Sequence, residues 1–132
     1  MMKLDDDEFR YVLEKDSERI ALAEKAGFEI VRGDDRTLLL DLDTPNAISQ
    51  FASMRDMVRD KVGFVEVERW PSKSGGGRTH VRISIRDPLS PIERIAVQAM
   101  LGSDPKRELL GLLKIRAGIN GDPSVLFRPR GL

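Results

Sequence analysis

The chain has no cysteine, one histidine and one tryptophan, and its 22 basic residues are matched by 22 acidic ones. The missing thiols exclude a disulfide framework and any thiolate metal site. A formal net charge of zero gives no nucleic-acid signal by itself. No apolar run approaches the roughly 20 residues that a membrane helix needs. The opening MMKLDDDEFR lacks the basic-then-apolar order of a signal peptide, so the expectation is a cytoplasmic protein without a membrane partner. Internal repeats, low-complexity stretches and linkers are also missing. The 132 residues, 40% apolar and 33% charged, have a globular composition and suit one domain spanning 1–132.

What is present is unevenly placed. DDDE lies near the start, whereas the segment from Arg69 to Arg86 carries six basic residues, counting His80, and no acid. A local basic surface is therefore expected on a neutral protein. Apolar spacing predicts a helix from Asp7 to about Ala26, using Phe9, Val12, Leu13, Ile20 and Ala23, with Gly27 as its stop. Phe28–Arg32 and Arg36–Asp43 read as strands around a GDD turn, and so as a hairpin. Thr44 and Pro45 suit the N-cap and first turn of a helix through Asp60, with Ile48, Phe51, Met54 and Val58 on one side. Gly63 closes it.

Phe64–Trp70 and Thr79–Ile85 alternate and flank a glycine loop, predicting a second hairpin. Ser90-Pro-Ile-Glu93 is a capping box that starts a helix running to about Leu101. Another helix begins near Asp104, and VLFRP reads as a last short strand. The order α, β, β, α, β, β, α, α, β favours a mostly antiparallel sheet covered by helices, an α+β fold.

Along LLLDLD, period-two alternation puts Leu38, Leu40 and Leu42 on one face and Leu39, Asp41 and Asp43 on the other. Two carboxylates leaving one strand on one side can converge on a hard divalent cation, magnesium or manganese. The other reading makes Asp43 part of the helix start and Asp41 a solvated residue. In THVRISI the same parity sets Val81, Ile83 and Ile85 against His80, Arg82 and Ser84. If both strands share a sheet, His80 emerges on the face of the aspartates.

Ser72, Lys73, Ser74, Gly75, Gly76, Gly77 and Arg78 supply hydroxyls, backbone amides and charge, the components of a phosphate cradle. A glycine-rich hairpin tip is the alternative. Asp104 in LGSDPKRE reads either as a third carboxylate ligand or as a helix cap, with Ser103 or Asp104 as N-cap and Pro105 at N1. Arg82, Arg107, Lys114 and Arg116 extend the basic theme toward a nucleic-acid backbone, with a solvated helix face as their other role. Trp70 reads as a core anchor.

In chain order, LLLDLD, then SGGGRTHVRI, then LGSD resemble the motifs of the archaeo-eukaryotic primase superfamily, the primase-polymerases, and of a minimal phage-type core in particular. That family carries a strand motif hhhDhD, a motif sGxGxHhxh and a later hydrophobic-hydrophobic-Asp on an RRM-like sheet. The resemblance covers residues 38–104, about half the chain. It implies that Asp41, Asp43 and Asp104 hold two Mg²⁺ or Mn²⁺ ions. It also implies that Ser74, Gly75, Gly77 and His80 contact nucleotide phosphates. The activity it implies is template-dependent nucleotidyl transfer from nucleoside triphosphates on single-stranded DNA, with a helicase or other replication protein as a candidate partner. Thr79 makes the glycine loop one residue longer than the motif.

Two rival readings stand beside it. One is a non-catalytic nucleic-acid- or nucleotide-binding accessory module of a replication system. The other is a haloacid-dehalogenase-like phosphatase, because LLLDLDTP also resembles hhhhDxDxT, although that fold needs a larger parallel sheet.

Overall fold

A computed structural model describes residues 6–72, 77–118 and 123–130. In chain order the elements are α1 (Asp6–Lys25), β1 (Phe28–Arg32), β2 (Thr37–Leu42), α2 (Pro45–Val62), β3 (Phe64–Pro71), β4 (Thr79–Ile85), α3 (Pro91–Met100), α4 (Pro105–Arg116) and β5 (Val125–Pro129). The fold is α+β, as the element order implies. Its strands form two antiparallel sheets rather than one: β2-β4-β3 and β1-β5.

The first hairpin does not form between β1 and β2. β1 pairs with β5 instead, Ile30 opposite Phe127, while β2 pairs with β4, Leu40 opposite Val81. The turn explains the separation. Asp34 Oδ1 accepts from the Arg36 amide and the Thr37 hydroxyl, both at 2.9 Å, an Asx-type turn. The hairpin from β3 to β4 forms as the alternation suggested, with a register irregularity at Phe64–Glu66.

Leucine alternation builds the main core. Leu38, Leu40 and Leu42 meet Val81, Ile83 and Ile85 on one face, packed against Phe51, Val58 and Val62 of α2 and Leu101 beyond α3. Each such side chain contributes roughly 1.5–3 kcal/mol on burial. Thr44 caps α2 by accepting from the Ala47 amide at 3.0 Å. Ile48, expected on the packed side of α2, is 40% exposed.

The opposite face of the larger sheet is not open either. Leu39 and Trp70 pack there against Val31 of β1 and Leu126 of β5, so all of Leu38, Leu39 and Leu40 are buried. Trp70 is the core anchor expected of it, and its indole donates to the Phe127 carbonyl at 2.9 Å. α1 closes the smaller sheet, with Ala23 against Val125 and Phe127. The side chains of Phe9, Val12 and Leu13 lie outside the described residues.

Candidate functional site

β2 is an edge strand, and its outward backbone groups are bonded by the corner between α3 and α4. The Leu39 amide donates to Gln98 Oε1 at 3.0 Å, and the Asp41 amide donates to Ser103 Oγ at 3.0 Å. The Leu39 carbonyl accepts from Arg107 at 2.8 Å, and the Asp41 carbonyl accepts from the Asp104 amide at 2.9 Å. Side chains thus stand in for a neighbouring strand. The last of these bonds brings the aspartate after α3 beside the aspartates of LLLDLD.

Behind this edge is a buried polar cluster. Gln98 Nε2 donates to Glu108 Oε2 at 2.8 Å and to Ser124 Oγ at 3.1 Å. Ser103 Oγ donates to Glu108 Oε1 at 3.0 Å, and Arg107 also donates to that carboxylate. Burial pushes the Glu108 carboxyl up, against the opposing pull of Arg107, Gln98 and Ser103. Gln98 and Glu108 were not singled out from the sequence. The available signal was a polar pair, Arg94 and Gln98, on the buried face of α3.

Gly102 makes the corner feasible. Its φ is +97°, and an added Cβ would lie 2.6 Å from the Ala47 carbonyl oxygen. No other residue type fits there without strain.

The carboxylates of Asp41, Asp43 and Asp104 each offer an oxygen within 4.8 Å of the other two. Asp104 takes the capping role that its sequence context offered, as the N-cap of α4 accepting from the Lys106 amide at 3.4 Å, while its carboxylate also stands beside Asp41 and Asp43. The three groups differ electrostatically. Burial, a hydrogen bond to Asp41 and the charges of Asp41 and Asp104 raise the Asp43 carboxyl to about 6, with Arg78 opposing them. Burial would raise Asp41 as well, but His80, the bond from Asp43 and the positive charge of Arg107 hold it below the usual carboxylate range. Asp43 therefore keeps its proton to a higher pH than Asp41 does, up to about 6.

Asp41 Oδ1 is buried and makes no hydrogen bond. His80 Nε2 lies 3.4 Å from it, an ion-pair distance rather than a hydrogen bond. Three hard oxygen donors, one of them unsatisfied, fit a divalent cation such as Mg²⁺ or Mn²⁺.

Parity placed His80 correctly, directly across from Asp41. The outward role expected of it is corrected. The ring is 5% exposed, and its Nδ1 lies 3.0 Å from the Phe127 carbonyl oxygen. A carbonyl can only accept, so Nδ1 carries hydrogen and Nε2 faces Asp41. Trp70 packs edge-on against the ring at 5.9 Å. His80 is held inside the protein between the Phe127 carbonyl and Asp41, and neither nitrogen is turned outward toward a phosphate.

Of the loop residues, Arg78 is half exposed with Nε 4.0 Å from Asp43 Oδ1. The Ser72 amide bonds the Arg78 carbonyl at 3.0 Å, and Gly77 has a φ of +78°. Lys73, Ser74, Gly75 and Gly76 lie outside the described residues. The basic surface expected of the later residues is corrected in part. Arg107 is largely buried and bonded to the β2 edge, and Lys114 is buried against Asp16 at 2.6 Å. Arg82 pairs with Glu68 at 3.6 Å, while Arg116 is exposed at the end of α4.

No family model, curated protein or solved structure matches this chain. No helix among the described residues is long and apolar enough to cross a membrane.

Proposed function

We propose that this protein is a metal-dependent nucleotidyltransferase that adds nucleotides to a strand on a single-stranded template. The observation that carries the reading is the convergence of Asp41, Asp43 and Asp104 from two separate chain segments onto one point. Acid groups on an ordinary solvated surface repel one another and gain nothing from such closeness. Here the β2 edge bonds hold Asp41 and Asp104 together despite that cost.

Asp41, Asp43 and Asp104 would hold Mg²⁺ or Mn²⁺. A cation bound there would supply stabilisation of charge on a transferred phosphoryl group and activation of the attacking hydroxyl. The protein's own residues have separable tasks. His80 and Arg107 keep Asp41 ionised, so it is ready as a ligand. Asp43, half protonated near pH 6, would give up its proton on holding a cation. Arg78 stands beside Asp43 with its guanidinium partly in solvent, suited to charge-assisted bonds with a nucleoside triphosphate. The phosphatase reading finds less support, since it requires a parallel sheet and both described sheets are antiparallel.

The test is primer extension and de novo synthesis on single-stranded DNA with Mn²⁺ or Mg²⁺. Incorporation by the parent protein that is abolished in Asp41→Asn supports the reading. Template binding without incorporation, insensitive to metal and to Asp41→Asn, would return the accessory-module reading.

A further inference from the structure

The sheet has a second edge, and it is built differently. Among the described residues no strand pairs with the outer side of β3, and Val65 and Val67 are 72% and 43% exposed. Between α2 and this strand lies a hollow of about 380 Å³ walled by Arg55, Arg59 and Arg69 over Phe51, Phe64 and Val67. A second hollow, of about 360 Å³, runs along the β3–β4 hairpin and is lined by Arg69, Trp70, Pro71 and Arg78. Arg69 belongs to both. Arg78, which lines the second hollow, has its Nε 4.0 Å from Asp43 Oδ1.

We infer that these hollows form a continuous track for single-stranded nucleic acid, entering past Arg55 and Arg59, crossing Arg69 and arriving at Arg78 beside the aspartates. The chemistry of the lining selects that occupant. Guanidinium groups match phosphate geometry in two-point contacts. Apolar floors between them suit bases that are splayed out, which a duplex hides inside its stack. The Arg69 guanidinium lies over the Phe51 ring, 5.1 Å from its centre, which leaves its hydrogen-bond edge for a ligand. No carboxylate pairs with it among the described residues.

The wall also contains acids. Asp56 lies 3.7 Å from Arg55 and 3.2 Å from Arg59, and Asp60 lies 3.6 Å from Arg59. Both carboxylates are about 70% exposed, and pairs of that kind are weak enough to yield to a phosphate. The track rests on the nucleotidyl-transfer reading only for the reason a strand should lead to Asp43.

The experiment is fluorescence anisotropy with a labelled oligodeoxythymidine of about 16 nucleotides, in chelator, across a salt series, using the full chain. The parent protein should bind, with Arg69→Gln weaker and Arg55→Gln/Arg59→Gln weaker by tenfold or more. Each arginine removed should lower the log–log salt slope by about 0.7. Lys25→Gln, on the far helix, should bind as the parent does. Unchanged affinity and slope in the arginine variants would overturn the track. So would polyglutamate of equal charge displacing the oligonucleotide as well as unlabelled DNA does, because the surface would then attract any polyanion. Binding that passes this test in a protein that never incorporates nucleotides removes the catalytic reading alone. Incorporation by a protein whose arginine variants bind normally removes the track alone.

Discussion

The two edges of the β2-β4-β3 sheet solve the same problem in opposite ways. At β2, Gln98, Ser103, Arg107 and the Asp104 amide occupy the outward backbone groups of Leu39 and Asp41. At β3, α2 lies to one side and no described strand pairs with the outer edge, with Arg55, Arg59, Arg69 and the exposed Val67 along a groove. A closed edge fixes atoms, and an open edge offers surface. The contrast teaches where to look for each kind of chemistry: the three carboxylates are at the closed edge, and the track proposed for single-stranded nucleic acid is at the open one.

The largest expected effect comes from breaking the closed edge at its base. Glu108→Ala leaves Arg107, Gln98 and Ser103 without their common acceptor in a buried setting. It should cost about 3–5 kcal/mol, read by denaturant melting. An unchanged midpoint would mean the cluster does not hold the corner.

Gly102→Ala attacks the same corner through the backbone, where positive φ alone costs about 1–3 kcal/mol and the Ala47 carbonyl leaves no room. Metal affinity should fall with stability in this variant, because the corner carries Asp104 to Asp41. Ser103→Ala, which leaves the part-buried Asp41 amide without its acceptor, should cost about 1–3 kcal/mol in the same melt.

A pH series sharpens the comparison further, since among the described residues the carboxyl raised to about 6 lies beside the closed edge. Asp43 ionises near 6 when folded and at its ordinary 3.8 when unfolded. The unfolded chain therefore gives up its proton first, and stability through this group is full below about 4 and declines as pH rises toward 6. Asp41, shifted downward, acts oppositely, and its contribution is lost as pH falls below the ordinary carboxylate value. Asp43→Asn should flatten the decline between pH 4 and 6. After allowance for solvent screening, it should stabilise the metal-free protein at pH 7 by about 1 kcal/mol. A parental slope in that variant would contradict the raised Asp43 carboxyl. At the open edge, by contrast, Val67→Thr should change stability by no more than about 0.5 kcal/mol.

Much of the closed edge was legible in the sequence because it rests on local rules. Alternation in LLLDLD and THVRISI set Asp41 and His80 on one face, and the structure pairs them directly. The Ser90 capping box and the Asp104 cap lie where their motifs put them. What could not be read was long-range. Gln98 meets Leu39 across 59 positions and Ser103 meets Asp41 across 62, and no local pattern encodes such partners.

The same limit explains β1, whose hairpin with β2 looked natural but which pairs with β5 near the other end of the chain. It explains Arg107 and Lys114 too. On a helix they read as contacts for a nucleic-acid backbone or as a solvated face, yet the fold turns them onto Leu39 and Asp16. His80 was placed on the correct face with the wrong outlook, because parity specifies a side of the sheet and not what covers that side. Here the cover is β5, through the Phe127 carbonyl.

The most direct test of the account is a calorimetric titration of Mn²⁺ into the full chain at pH 6 and pH 7.5, in buffers of different ionisation enthalpy. Saturable binding is expected, with release of about half a proton at pH 6 that shrinks at pH 7.5 as Asp43 is already ionised. Asp41→Asn and Asp104→Asn should each weaken binding by at least tenfold. Binding that never saturates, or that is the same in both variants as in the parent, would contradict a cation site built by the closed edge.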